Sequence, residues 1–83
     1  MAKHKKTLQA VFEKPTRANL RWADIEAMLR SLGAEISEGS GSRVRVRLGN
    51  QRAVFHRPHP QPVAAKVQVE SVRRFIERAG FQP

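Results

Sequence analysis

Eighty-three residues allow one domain with one modest core, and the lack of cysteine rules out a disulfide framework or a thiolate metal site and fits a reducing cytoplasm. The apolar runs are only a few residues long, too short for a membrane span, and the basic stretch Met1-Ala2-Lys3-His4-Lys5-Lys6 is followed by no apolar signal core, so a cytoplasmic location without membrane association is expected. Sixteen Lys and Arg against seven Asp and Glu give a net charge of +9, a field that attracts polyanions; eleven of the sixteen are Arg, which suits bidentate phosphate contact and points to nucleic acid ahead of an acidic protein or a membrane surface.

Leu8, Val11 and Phe12 form an i, i+3, i+4 apolar set that predicts a short amphipathic helix over residues 3–14, with Thr7 as N-cap and Pro15 as its end. Residues 15–20 read as a connector. Trp22, Ile25, Met28, Leu29 and Leu32 recur at helical spacing, with Asp24, Glu26 and Arg30 elsewhere on the wheel. Trp22 fits the apolar stripe and reads as core, and Gly33 sits where a left-handed cap is wanted. Ala34, Ile36 and Glu38 alternate weakly as a first strand, and Gly39-Ser40-Gly41-Ser42 signals a turn.

The clearest pattern follows. Arg43-Val44-Arg45-Val46-Arg47-Leu48 has a period of two, so Val44, Val46 and Leu48 face a core and the three arginines share the other face. Gly49-Asn50 is a hairpin signal, and residues 51–57 return as a strand with Ala53 and Phe55 on one face and Arg52, Val54 and His56 on the other. Pro58, Pro60 and Pro62 stop the sheet and force an extended loop. Val69, Val72, Phe75 and Ile76 stripe a last helix over residues 67–79, capped by Gly80. The order predicts an α+β fold: an αβββα core with a three-stranded antiparallel sheet, helices on one face, and an extra short N-terminal helix. Residues 1–20 are the basic N-terminal helix and connector, and residues 21–83 the core of what is overall a single domain.

Three groups of residues could carry chemistry. Arg43, Arg45 and Arg47, with Arg52 on the next strand, repel one another, and packing gives no reason to collect them; they suit phosphates, the alternative being a strand kept soluble by charge. His56 and His59 flank Arg57 where the last strand meets the proline loop. Metal-free RNA cleavage needs a base for the 2′-hydroxyl proton, an acid for the leaving oxygen and a cation at the phosphate, and histidine and arginine supply all three. The alternative is that these histidines only hydrogen-bond phosphates or close the strand. Lys66, at the start of the last helix, could meet a phosphate beside exposed backbone N–H groups, while Arg73, Arg74 and Arg78 line its polar face. No metal or other cofactor is expected: zinc on His56, His59 and His4 has no cysteine and no nearby carboxylate to complete it.

The chain resembles the HicA toxin family of small bacterial mRNA interferases over residues 22–80. The resemblance rests on the helix ending Ser31-Leu32-Gly33-Ala34, the Gly41-Ser42 lead-in to the second strand, the Pro58-His59-Pro60 after the third, and the closing Ser71-Val72-Arg73-Arg74-Phe75-Ile76-Glu77-Arg78-Ala79-Gly80. It implies a double-stranded-RNA-binding-like fold, metal-independent mRNA cleavage and neutralisation by a partner antitoxin. One departure stands out: the family reads Gly-Ser-His at the second strand, its histidine being catalytic, where this chain has Gly41-Ser42-Arg43. Arginine stays protonated at any working pH and cannot be a general base. Either catalysis has moved to His56 or His59, or this member binds RNA without cutting it.

The expectation is therefore a HicA-like toxin, an endoribonuclease of mRNA with His56 and His59 as acid–base groups and Arg43, Arg45, Arg47, Arg52, Arg57 and Lys66 as RNA contacts. Its rivals are a non-catalytic RNA-binding domain of the same fold and a basic protein-interaction module. A helix-turn-helix reading of the first two helices is weaker, because the connector carrying Pro15 is long for that motif.

Overall fold

The computed structural model describes residues 2–59 and 62–83. The elements run α1 Ala2–Val11, β1 Leu20–Arg21, α2 Trp22–Ser31, β2 Glu35–Glu38, β3 Arg43–Leu48, β4 Gln51–His56, β5 Val63–Ala64 and α3 Lys66–Arg78. α2, the β2-β3-β4 antiparallel sheet and α3 give the expected αβββα core, an α+β fold of the double-stranded-RNA-binding type, with α1 added in front. Pro60, at the centre of the predicted proline loop, lies outside the described residues.

The period-two pattern of β3 is realised as a strict alternation of exposed arginines and buried Val44, Val46 and Leu48. These pack with Phe55 of β4 against Ile25, Met28 and Leu29 of α2 and Val69, Val72, Phe75 and Ile76 of α3 in one core. Within it Phe55 lies edge-on to Trp22 at 5.9 Å and to Phe75 at 5.7 Å, the arrangement that ring quadrupoles favour. Gly33 takes φ 102° between α2 and β2, a region closed to most side chains, and lets the chain reverse from helix to strand.

The hairpin register follows from the Gly49-Asn50 turn, with Leu48 opposite Gln51 and Arg43 opposite His56. The Arg57 N–H donates to Ser42 O at 2.9 Å just beyond the strand ends. That contact makes 42–57 a hydrogen-bonded pair, so by alternation Arg43–His56, Arg45–Val54 and Arg47–Arg52 are the closer, non-hydrogen-bonded pairs. The outward side chains of β3 and β4 are therefore the ones brought nearest to each other.

Three expectations change. Thr7 does not cap α1, because the helix already begins at Ala2; its hydroxyl instead donates back to Lys3 O at 3.1 Å from within the helix. The segment read as a plain connector contains β1, which pairs antiparallel with β5 after the proline loop, Leu20 opposite Ala64 and Arg21 opposite Val63. Strands of two residues are too short to show a period, so nothing local announced them. Glu26, placed on the polar side of α2, is buried at 7 % exposure.

The N-terminal helix is built into the core. Leu8 and Val11 are buried in it, and the Arg73 guanidinium of α3 donates to Val11 O at 3.0 Å, Glu13 O at 3.3 Å and Thr16 Oγ1 at 2.8 Å. A cation bonded to free carbonyls at a helix C-terminus satisfies both their hydrogen bonding and the helix dipole. Among the described residues no helix is long and apolar enough to cross a membrane.

Candidate nucleic-acid interface

The helices cover one face of the sheet, and the side chains of the other face stand in three cross-strand rows. Glu35, Arg47 and Arg52 form the first, Ser37, Arg45 and Val54 the second, and Arg43 and His56 the third, at the end where β4 runs into the proline loop. All of these side chains are exposed. A shallow depression of about 590 Å³ lies over this face, rimmed by Arg45, Arg47 and Arg52 and floored partly by Val54.

Among the described residues only one of the four arginines here is neutralised: Arg47 Nη2 lies 2.6 Å from Glu35 Oε1. Arg43, Arg45 and Arg52 have no carboxylate within ion-pair distance, so three guanidinium groups stand free with their planes available for bidentate phosphate contact or for stacking. Arg47 and Arg52 face each other as like charges, which costs stability unless a polyanion lies between them.

His56 is the residue the register brings to this ladder. Its cross-strand neighbour is Arg43, the residue at the position where the resemblance expects histidine. His59 lies three residues on, past the end of β4, and is exposed. Lys66, also exposed, opens α3. The first turn of α3 is pinned beside His56 by Gln68, whose Oε1 accepts the Ala65 N–H at 3.0 Å and whose Nε2 donates to His56 O at 2.8 Å. One end of the sheet thus gathers His56, Arg43 and the N-terminus of α3. Among the described residues no three His, Asp or Glu side chains group as a metal site requires.

Arg57 does not join the ladder. Strand parity sends it to the same side as Phe55, under the sheet, where its guanidinium grips Glu26 through Nε at 2.8 Å and Nη2 at 3.2 Å and Glu38 through Nη1 at 2.6 Å. Trp22 Nε1 donates to the same Glu26 carboxylate. Donating hydrogen bonds to Glu26, then to Glu38, holds the Arg57 guanidinium even more firmly protonated than an ordinary arginine, and accepting one from Arg57 keeps the Glu38 carboxyl below its usual range. Its charge is spent on locking β4 and the start of the proline loop to α2 and β2. Nothing local marks Glu26 and Glu38 as its partners, but the period-two rule carried two residues past Phe55 places Arg57 on the covered side.

A family model described as HicA toxin of bacterial toxin-antitoxin matches residues 22–81. The chain belongs to the HicA toxin family. No curated protein and no solved structure gives a significant match to it. The HicA match begins at Trp22, so it takes in the sheet, α2 and α3, and leaves α1 and β1 outside. Membership makes the chain a toxin of the toxin–antitoxin kind, a class in which an antitoxin partner is implied.

Proposed function

We propose that this HicA-family toxin binds mRNA across the open face of the sheet and cleaves it without a metal. Arg43, Arg45 and Arg52 hold the phosphate backbone, with Arg47 joining them when RNA displaces Glu35, and Lys66 contacts the strand as it leaves past α3. His56 and His59 are the acid–base pair. One removes the proton from the 2′-hydroxyl as its oxygen attacks the adjacent phosphorus; the other protonates the departing 5′-oxygen, leaving a 2′,3′-cyclic phosphate. Arg43 offsets the charge that builds on the phosphoryl oxygens. Arg57, assigned to RNA by sequence alone, serves here by fixing the loop that carries His59.

The observation that carries the reading is the cross-strand pairing of His56 with Arg43 on an arginine-rich open face. It supports a base and a phosphate-binding cation within reach of one phosphate. The test is incubation of the purified protein with 5′-end-labelled mRNA in EDTA. Wild type should give discrete products. His56→Ala should slow cleavage by about 10²- to 10⁴-fold, as loss of a general acid or base does, and the His56→Ala, His59→Ala double variant should bind RNA without cutting it. Undiminished cleavage by the double variant would refute the assignment.

A second reading is favoured by Arg43 itself. With arginine where the family has its histidine, the domain binds RNA and cuts nothing. Tight, salt-sensitive binding with no product from wild type would establish it.

A further inference from the structure

β4 is an edge strand. The sheet order is β2-β3-β4, and β5 pairs with β1, so among the described residues nothing continues the ladder on the far side of β4. Its register shows which groups are left over. Residues 51, 53, 55 and 57 direct their backbone N–H and C=O toward β3, so those of Arg52, Val54 and His56 point outward. His56 O is taken by Gln68 Nε2. The groups of Arg52 and Val54 remain as an open stretch of ladder.

Between this edge and α3 runs a groove of about 410 Å³. Val54 and Val67, the exposed large hydrophobic residues among those described, both line it, at 55 % and 70 % exposure, with the edges of Phe55 and Phe75 in its floor. Arg74 and Arg78 of α3 form its wall, and no carboxylate lines it. An open strand edge, an apolar floor and a cationic wall complement one kind of occupant, an extended peptide that is apolar and acidic. RNA fits the cations but has no backbone that can continue a β-ladder. A second copy of a chain carrying +9 would bring like charge against like.

We propose that the β4 edge and the adjoining face of α3 receive an acidic, extended segment of a partner protein, added to the sheet as a fourth strand through the Arg52 and Val54 backbone groups. The inference rests on family membership, which implies a protein partner, and is independent of whether the open face cleaves RNA. Because the added strand would run beside the Arg52 and His56 side chains, its binding also narrows access to the arginine face.

The test uses the full chain, ¹⁵N-labelled, and an octapeptide of alternating valine and glutamate as probe. Binding should shift the Arg52 and Val54 amides and slow their hydrogen exchange. N-methylating alternate amides of the peptide, which abolishes ladder hydrogen bonds and keeps the charge, should weaken binding about tenfold or more. Arg74→Glu with Arg78→Glu should weaken it about fivefold at low salt, and a valine–lysine octapeptide should not bind. Equal binding of the N-methylated peptide, or no shift at these two amides at millimolar peptide, overturns the proposal. So does a single-stranded RNA oligonucleotide that shifts these amides where the acidic peptide does not. Retained RNA cleavage in the Arg74→Glu, Arg78→Glu variant leaves the two assignments separately testable.

Discussion

On the covered side of the sheet Arg57 holds Glu26 and Glu38, while on the open side Arg43, Arg45 and Arg52 hold no carboxylate among the described residues. The residue type is the same and the strands are neighbours. The difference is what each charge meets. Beneath the sheet a carboxylate is buried on α2 and needs a cation, so Arg57 is part of how the fold is held. Above it, unpaired like charges on two adjacent strands do nothing for the fold and leave a field open to a polyanion. Arginine is therefore structural or functional here according to strand parity, and a change of one residue in sequence decides which.

The largest test of that division is in the core. Phe55→Ala, on the covered side, removes a ring packed between Trp22 and Phe75 and should lower the unfolding free energy by about 3–5 kcal/mol in urea denaturation. Val54→Ala, its exposed neighbour, should change it by less than about 0.5 kcal/mol. Comparable losses at both positions would mean that the two faces are not energetically distinct.

Next in size is the arginine pair itself. Arg57→Ala leaves the Glu26 carboxylate buried with only Trp22 and a more distant Arg30 for company, at 3.8 Å, and should destabilise by about 2–4 kcal/mol. Arg57→Lys should recover part of this, since an ammonium cannot bond two carboxylates as a planar fork does. Arg43→Ala should leave stability unchanged within about 0.5 kcal/mol and appear only in RNA binding. If the two alanine variants melt alike, parity does not separate their roles.

How far the sequence alone could foresee this arrangement depends on the range of the interactions. The β3 alternation is local, and its arginine face was legible because every second residue repeats the signal. The Gly49-Asn50 hairpin was legible too, but not the register that sets His56 beside Arg43, since a slip of one residue would have turned His56 into the core; Gly49 alone of the pair has positive φ, 59°, as a type II′ turn requires. Glu26 was not. On the helix wheel it is one polar residue among three, and its partner, 31 residues away at the end of the returning strand, reads by sequence as an RNA contact. β1 and β5 were missed for the same reason in another form: each is two residues, and what makes them strands is a partner more than forty residues distant. Thr7 shows the opposite error, a local cap preference applied where the helix already had a full turn before it.

The free charge of the open face sharpens the comparison through salt. A protein that releases counterions from single-stranded RNA loses affinity with a log–log slope near −0.7 for each phosphate neutralised. Replacing Arg43, Arg45 and Arg52 together by Ala should therefore flatten the slope by about 2, measured by fluorescence anisotropy of a labelled RNA over a potassium chloride titration. Arg57→Lys, whose charge is already committed to carboxylates, should leave the slope unchanged. A flattened slope for Arg57→Lys would move it into the interface.

The smallest expected effect concerns pH and returns to the covered side. The Arg57 hydrogen bond holds the Glu38 carboxyl below its ordinary 4.5, desolvation opposes this, and the Arg57 and Arg30 charges assist it. A carboxyl with a lower value folded than unfolded binds its proton more readily in the unfolded chain, so acid favours unfolding. Its contribution is complete above the ordinary carboxylate value and fades as pH falls through the lower folded one. Arg57 stays charged across the whole range, so only the carboxylate side of the pair titrates. Glu38 is exposed, so solvent screens the pair and the effect is small. Glu38→Gln should lower the urea midpoint slightly at about pH 7, and the gap between variant and wild type should close as pH approaches about 3. A gap that persists in acid would show that Glu38 acts by shape or hydrogen bonding rather than by charge, and that the contrast between paired and free arginines is not an electrostatic one at this end of the sheet.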